Sequence, residues 1–219
     1  MFFIYQIVIS LILIFSPLIL IYRIFKNKED KSRFKEKISI PTKIRSNGRL
    51  IWFHGASVGE LMSIIPLLKK YEKEKSIHQI LVTSSTLSSS KVFKKFKFKK
   101  TIHQFYPIDH VIFVNKFLNY WKPTAAIFIE SEIWPCMFKK INNKNIPLLL
   151  LNARLTKKSI NNWMKVKNFS KSIFNKISFA YPQNLETKLY LKKIGFNKIK
   201  NLGNLKYVEN YDDKLLKLN

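Results

Sequence analysis

Ile51-Trp-Phe-His-Gly-Ala-Ser-Val-Gly-Glu60 is an apolar run that ends in a turn of small residues and passes into the helical pattern of Glu60 through Lys75. Short apolar, β-rich runs of the same kind recur along the chain at Leu50–His54, Ile80–Ser84, Ile102–Tyr106, Ala125–Ile129, Pro147–Leu151 and Ile177–Tyr181, with longer helix-like stretches between them. Strands that alternate with helices read as βαβ units, and continuous apolar runs suit strands covered on both faces. The expected fold class is therefore α/β, a Rossmann-like, doubly wound parallel sheet. Ligands of such sheets gather at the carboxyl ends of the strands.

The 219 residues are 47% hydrophobic, ample for a buried core, and carry a net charge of +27. The charge is almost wholly lysine, since there are only five arginines, Arg23, Arg33, Arg45, Arg49 and Arg154. Bidentate guanine or phosphate readout thus has few candidate residues, and no nucleic-acid partner is expected. An anionic membrane surface is the sharper reading, because each nearby Lys or Arg gains about 1 kcal/mol there. The lone Cys136 cannot form an intrachain disulfide, and no Cys/His cluster has metal-ligand spacing, so no metal site is expected.

Residues 1–25 are nearly all apolar, interrupted by Gln6, Ser10, Ser16, Pro17 and Arg23, and roughly 20 such residues cross a bilayer as a helix. The expectation is a membrane anchor. Residues 26–48 form a basic juxtamembrane segment whose lysines and arginines favour the cytoplasmic side. Pro17 allows either a spanning helix or a kinked one inserted in one leaflet, and the sequence leaves both open. Lys91–Lys100 interleaves Phe93, Phe96 and Phe98 with lysines. That pattern reads as a solvated helix face with a few core contacts or as an aromatic, basic lip on the membrane.

Four strand ends carry polar groups. After the first strand, Ser57 and Glu60 have capping-box spacing, and spacing alone favours that role for Glu60. A carboxylate on such a turn can also serve as a general base, and Gly55 and Gly59 permit close approach of a ligand to the backbone. Phe128-Ile-Glu130-Ser-Glu132-Ile-Trp-Pro135 ends a strand in two acids, which read as first-turn acids of the next helix or as part of an acidic pocket orienting sugar hydroxyls. Asn152-Ala-Arg154-Leu-Thr and Gly203-Asn-Leu-Lys206-Tyr207 each place a cation at the same edge.

In order and spacing these four segments resemble the Kdo transferases, which attach 3-deoxy-D-manno-octulosonic acid (Kdo) to lipid A precursor. The family carries an S-V-G-E turn, an E-x-E-L-W-P strand end, an N-A-R-L-S segment and a G-S/N-L-K-F segment. Here Cys136 stands where the family usually has Asn, and Val208 where it has Asp. The resemblance implies the N-terminal half of a GT-B type glycosyltransferase preceded by a membrane helix, on the cytoplasmic face of the bacterial inner membrane. It puts the catalytic base on Glu60, transition-state stabilisers on Glu130 and Lys206, and acceptor contacts on Ser57, Gly59, Glu132 and Arg154. It implies a Rossmann-like acceptor-side domain over residues 49–207 and the start of an interdomain linker at residues 208–219; the family's second, CMP-binding domain lies outside this sequence, and a separate chain is one partner that could carry it. CMP-Kdo would be the donor, with no cofactor, and lipid A precursor the acceptor. The competing expectation is a non-catalytic, membrane-anchored basic module that binds anionic lipid.

Overall fold

In the computed structural model, which describes residues 1–201, six parallel strands form one sheet in the order β3-β2-β1-β4-β5-β6. The strands are β1 (Leu50–His54), β2 (Gln79–Ser84), β3 (Thr101–Phe105), β4 (Ala125–Ile129), β5 (Leu148–Ala153) and β6 (Phe179–Pro182). The helices are α1 (Phe2–Phe25), α2 (Val58–Lys73), α3 (Leu87–Phe93), α4 (Val111–Trp121), α5 (Pro135–Asn143), α6 (Lys157–Lys165), α7 (Lys167–Phe174) and α8 (Leu185–Ile194). The last strand begins two residues later than its apolar run, because Ile177 is buried in the turn before it.

The period of two along β1 explains its central place. Leu50 and Trp52 face one apolar layer with Phe117, Phe128 and Phe138, while Ile51 and Phe53 face the other with Leu61, Ile64 and Leu68. Buried on both faces, β1 has no polar side before His54. Trp52 packs at ring-centroid distances of 4.8 Å from Phe117 and 5.1 Å from Phe128, within the range of favourable aromatic pairs. The strand order reverses between β1 and β4, so the crevice outside their carboxyl ends is the topological switch point of the sheet.

Two readings of local sequence are corrected by the packing. Lys91–Lys100 is not one helix face, because α3 ends at Phe93. Its rings turn inward: Phe93 is buried, and Phe96 and Phe98 pack against the apolar layer beneath α2 and α3, leaving the lysines outside. The basic segment at residues 26–48 also carries two buried carboxylates. Glu36, within a 3₁₀ turn at Phe34–Ile38, receives both ends of Arg33 at 2.9 Å, the Phe105 N–H at 2.7 Å and the Thr42 hydroxyl. Glu29 accepts from Arg23 at 3.1 Å and Lys37 at 2.6 Å. Glu36 thereby ties the segment to the edge strand β3 and Glu29 ties the end of α1 to the segment, and removing one partner would strand a buried charge.

Candidate functional site

At the switch point the turn after β1 is shaped by its own hydrogen bonds. Ser57 is the N-cap of α2, and its hydroxyl accepts the Glu60 N–H at 3.2 Å. The Glu60 carboxylate folds back over the turn, accepting the Ala56 N–H at 2.8 Å and the Ser57 hydroxyl at 2.8 Å. This is a cap with a shifted partner, since a capping box would use the N–H of Ser57 itself. The helix N-terminus thus holds an internal carboxylate where an external anion would otherwise sit.

Burial holds the Glu60 carboxyl above the ordinary glutamate range, against the lowering effect of the Ser57 and Ala56 hydrogen bonds, and the charges of Glu132 and Glu130 add to the rise. Gly55 is tightly packed: a Cβ there would meet Glu60 Cβ at 3.0 Å, and the Glu60 side chain would have to give way. Gly59 is not: a Cβ on it would meet no protein atom within 4 Å. The space above Gly59 is open to a ligand.

Facing this turn are the ends of β4 and β5. Glu130 and Asn152 both adopt left-handed backbone, at φ 55 and 52, which costs non-glycine residues of order 1 kcal/mol or more and clusters at functional sites. The Glu130 N–H donates to Leu151 O at 3.0 Å and the Arg154 N–H donates to Glu130 O at 3.3 Å, so the two strand ends are tied across the turn. Glu130 is only 7% exposed, and its carboxylate lies 4.0 Å from the Arg154 guanidinium, whose side chain is 54% exposed. The acids after β4 are not in the first turn of α5, which starts at Pro135 with no acidic residue in that turn.

Ser57, Gly59, Glu60, Glu130, Ser131, Arg154, Thr156 and Ser159 line one cavity of about 510 Å³. The five predicted residues Ser57, Gly59, Glu60, Glu130 and Arg154 are therefore brought together. Carboxylates, one cation and several hydroxyls around an open crevice suit a polyhydroxylated ligand better than an apolar one. Glu132 is not in that lining. Its Oε2 meets His54 Nε2 at 3.1 Å and accepts the Trp134 indole N–H at 2.9 Å, so it braces the wall behind the cavity. Lys206 lies outside the described residues.

His54 is a residue that the strand pattern hides. Fully buried, it contacts Thr83 Oγ1 at 3.0 Å through Nδ1 and Glu132 through Nε2, and stacks on Tyr106 with centroids 3.9 Å apart. An ionisable group at the end of an apolar central strand is the signal that marks it. Thr156 and Ser159, at the start of α6, carry no distinguishing signal in the sequence; Thr156 caps that helix through the Ser159 N–H at 3.2 Å.

A second cavity of about 500 Å³ lies at the β3 edge, lined by Arg33, Lys43, Phe93, Lys94, Phe96 and His103 among others. Its buried polar groups serve each other. Arg33 is committed to Glu36, Ser90 and the His103 carbonyl, and burial, aided by the Arg33 charge, lowers His103 to about 3. Buried Cys136 is no nucleophile either, since burial and then Asp109 push its thiol up to about 12.

Known proteins resemble this chain in sequence and in fold. The domain family described as 3-deoxy-D-manno-octulosonic-acid transferase (kdotransferase) matches residues 32–209. The 3-deoxy-D-manno-octulosonic acid transferase of Rickettsia bellii is 39% identical over 189 residues, covering 86% of this chain and 45% of that protein. The Haemophilus influenzae enzyme of the same name is 29% identical over 216 residues, covering 95% of this chain and 50% of that protein. The chain spans about half the length of these relatives. Among solved structures, UDP-N-acetylglucosamine 2-epimerase from R. bellii aligns with a TM-score of 0.54 at 13% identity, over 78% of this chain and 49% of that one. The Neisseria meningitidis epimerase bound to UDP-GlcNAc gives 0.51 at 13% identity, over 73% and 47%. The likeness to the epimerases is one of fold.

Proposed function

Because the chain belongs to the 3-deoxy-D-manno-octulosonic-acid transferase family, we propose that it supplies the acceptor-binding and base-bearing side of a transfer of Kdo from CMP-Kdo to a sugar hydroxyl of lipid A precursor. The observation that carries this reading is Glu60, a carboxylate of raised proton affinity held at the mouth of the switch-point cavity beside a glycine that leaves room for a ligand. A general base works best when its proton affinity approaches the operating pH, which is the direction in which burial moves Glu60.

In this reading the acceptor hydroxyl enters over Gly59 and gives its proton to Glu60 as its oxygen bonds to the anomeric carbon of Kdo. The bond from that carbon to the CMP phosphate breaks on the opposite face, CMP leaves with the electron pair, and the configuration inverts. Glu130, already buried, would face the sugar as positive charge develops on it, in the manner of a glycosidase carboxylate. Arg154 reaches from the far wall with an exposed guanidinium suited to acceptor phosphate. Lys206 takes the donor side, stabilising charge on the departing phosphate. The donor-binding half is assigned to the remainder of the family's two-domain architecture, and the working place to the cytoplasmic face of the inner membrane.

The test is transfer of labelled Kdo from CMP-Kdo to lipid IVA by this chain supplied with a donor-binding half. Labelled lipid from the wild type and not from Glu60→Gln supports the assignment. If the chain binds anionic vesicles and never transfers, it is the non-catalytic lipid-binding module instead.

A further inference from the structure

Helix α1 is long and apolar enough to cross a membrane, yet its contacts do not fit a crossing. Its half-buried positions recur every three or four residues from Phe2 to Ile24, and they include Gln6, Ser10, Ser16 and Arg23, the polar residues that interrupt the apolar run. The outward positions, among them Phe3, Ile7, Leu11, Phe15 and Leu18, are apolar and between 44% and 75% exposed.

The first turns of α1 are seated on the domain. The Tyr5 hydroxyl donates to Asp109 at 2.6 Å, Ser10 Oγ lies 3.2 Å from His110 Nε2, and the Val111 N–H donates to Gln6 Oε1 at 3.2 Å. Phe2 packs under the Lys139 ammonium, 3.9 Å from its ring centroid. The seat itself is firm, because Asp109 also accepts the Cys136 and Met137 N–H groups at 2.9 and 2.8 Å. The last turn is tied to the same side of the domain through Arg23, Glu29 and Lys37.

In a spanning helix Tyr5 and Phe25 would sit at opposite faces of the bilayer, about 30 Å apart. Here Tyr5 meets Asp109, whose neighbour Ile108 donates its N–H to Lys37 O at 2.9 Å. Lys37 belongs to the basic segment that stays on the cytoplasmic side. Both ends of α1 therefore lie on one side. Pro17 does not break the helix, and the carbonyl it leaves unserved, that of Leu13, accepts the Ser16 hydroxyl at 2.8 Å.

We infer that α1 is an in-plane membrane helix, seated by the Tyr5–Asp109 clamp, whose outward face enters the acyl layer of one leaflet. The seat is formed by the starts of α4 and α5, which lie at the carboxyl edge of the sheet. That edge also holds the switch-point cavity, so a lipid-borne acceptor would meet the site without leaving the bilayer surface.

An epitope placed ahead of Met1 on the full chain, expressed in a Gram-negative host, reads the topology. It should survive protease added to spheroplasts and be cleaved in inside-out vesicles; cleavage in intact spheroplasts overturns the inference. Photoactivatable p-benzoylphenylalanine at position 2, which leaves the Tyr5 clamp intact, should crosslink to peptides containing Lys139, whereas crosslinks to lipid alone overturn the seating. Neither readout uses transfer, so a failure of the transferase reading would leave this one standing.

Discussion

Replacing Glu60 with Gln separates the two roles that its hydrogen bonds allow. The side-chain oxygen of Gln can keep the Ala56 N–H bond of 2.8 Å, while its amide turns toward Ser57, whose exposed hydroxyl is free to reorient and accept. Two charge-assisted bonds become neutral ones, a loss of order 1 kcal/mol, and the burial penalty on a carboxylate with two acidic neighbours disappears, offsetting much of it. Stability should change by no more than about 1 kcal/mol. Transfer loses its proton acceptor and should fall by at least about 10²-fold, equivalent to about 2.7 kcal/mol in the barrier. The assays are chemical denaturation of the purified chain and initial rates of Kdo transfer with a donor-binding half supplied. Ser57→Ala is the control, expected to cost about 1 kcal/mol of stability through the lost cap. Near-normal transfer by Glu60→Gln, with a stability loss matching Ser57→Ala, would reduce Glu60 to a helix cap and refute the reasoning.

The raised proton affinity of Glu60 puts the acid limb of the transfer profile above the ordinary glutamate range. Glu132→Gln removes a negative neighbour and should move that limb to lower pH; an unmoved limb would mean that another group is titrating. For folding the sign is the reverse of a salt-bridged acid: the native state holds the Glu60 proton more tightly than the unfolded chain. The contribution of Glu60 to stability therefore falls as pH rises through the window between its ordinary and its raised value, as a pH series of denaturation midpoints would read. Gly59→Ala should gain up to about 1 kcal/mol, since a methyl there meets no protein atom, yet reduce acceptor binding tenfold or more by filling the cavity; retained binding would show that acceptors pass elsewhere. Arg154→Gln should stay within about 0.5 kcal/mol of wild-type stability, given its exposure, while titration with lipid IVA shows weaker and less salt-sensitive binding.

Most of the fold was legible because it follows from local periodicity. The apolar runs located all six strands to within two residues, and their continuity marked them as covered on both faces. Strand order was not legible, since nothing local distinguishes a central parallel strand such as β1 from one nearer the edge. At the site, the small-residue turn announced Glu60, and the resemblance to a family weighed against the capping role that spacing preferred. What escaped depends on contacts between distant segments. The left-handed backbone at Glu130 arises because the strand end is bonded to Leu151 and Arg154, which no window around Glu130 contains. His54 reads in sequence as one more strand residue, and only the fold brings Thr83 and Glu132 to its two nitrogens. Glu29 and Glu36 are hidden among lysines, their partners being Arg23 of α1, Arg33, Lys37 and Thr42 of the folded segment, and the Phe105 N–H of the edge strand.

The central claim is that Glu60, in the cavity at the carboxyl ends of β1, β4 and β5, accepts the proton of a lipid A sugar hydroxyl during Kdo transfer. The most direct measurement is single-turnover transfer from CMP-Kdo to lipid IVA, with saturating acceptor and a donor-binding half present, for wild type and Glu60→Gln across a pH series. The account predicts a wild-type rate that rises as Glu60 loses its proton, and a Glu60→Gln rate lower by at least about 10²-fold that lacks this rise while acceptor affinity is kept. Equal rates for the two proteins, or the same pH dependence in both, would contradict it.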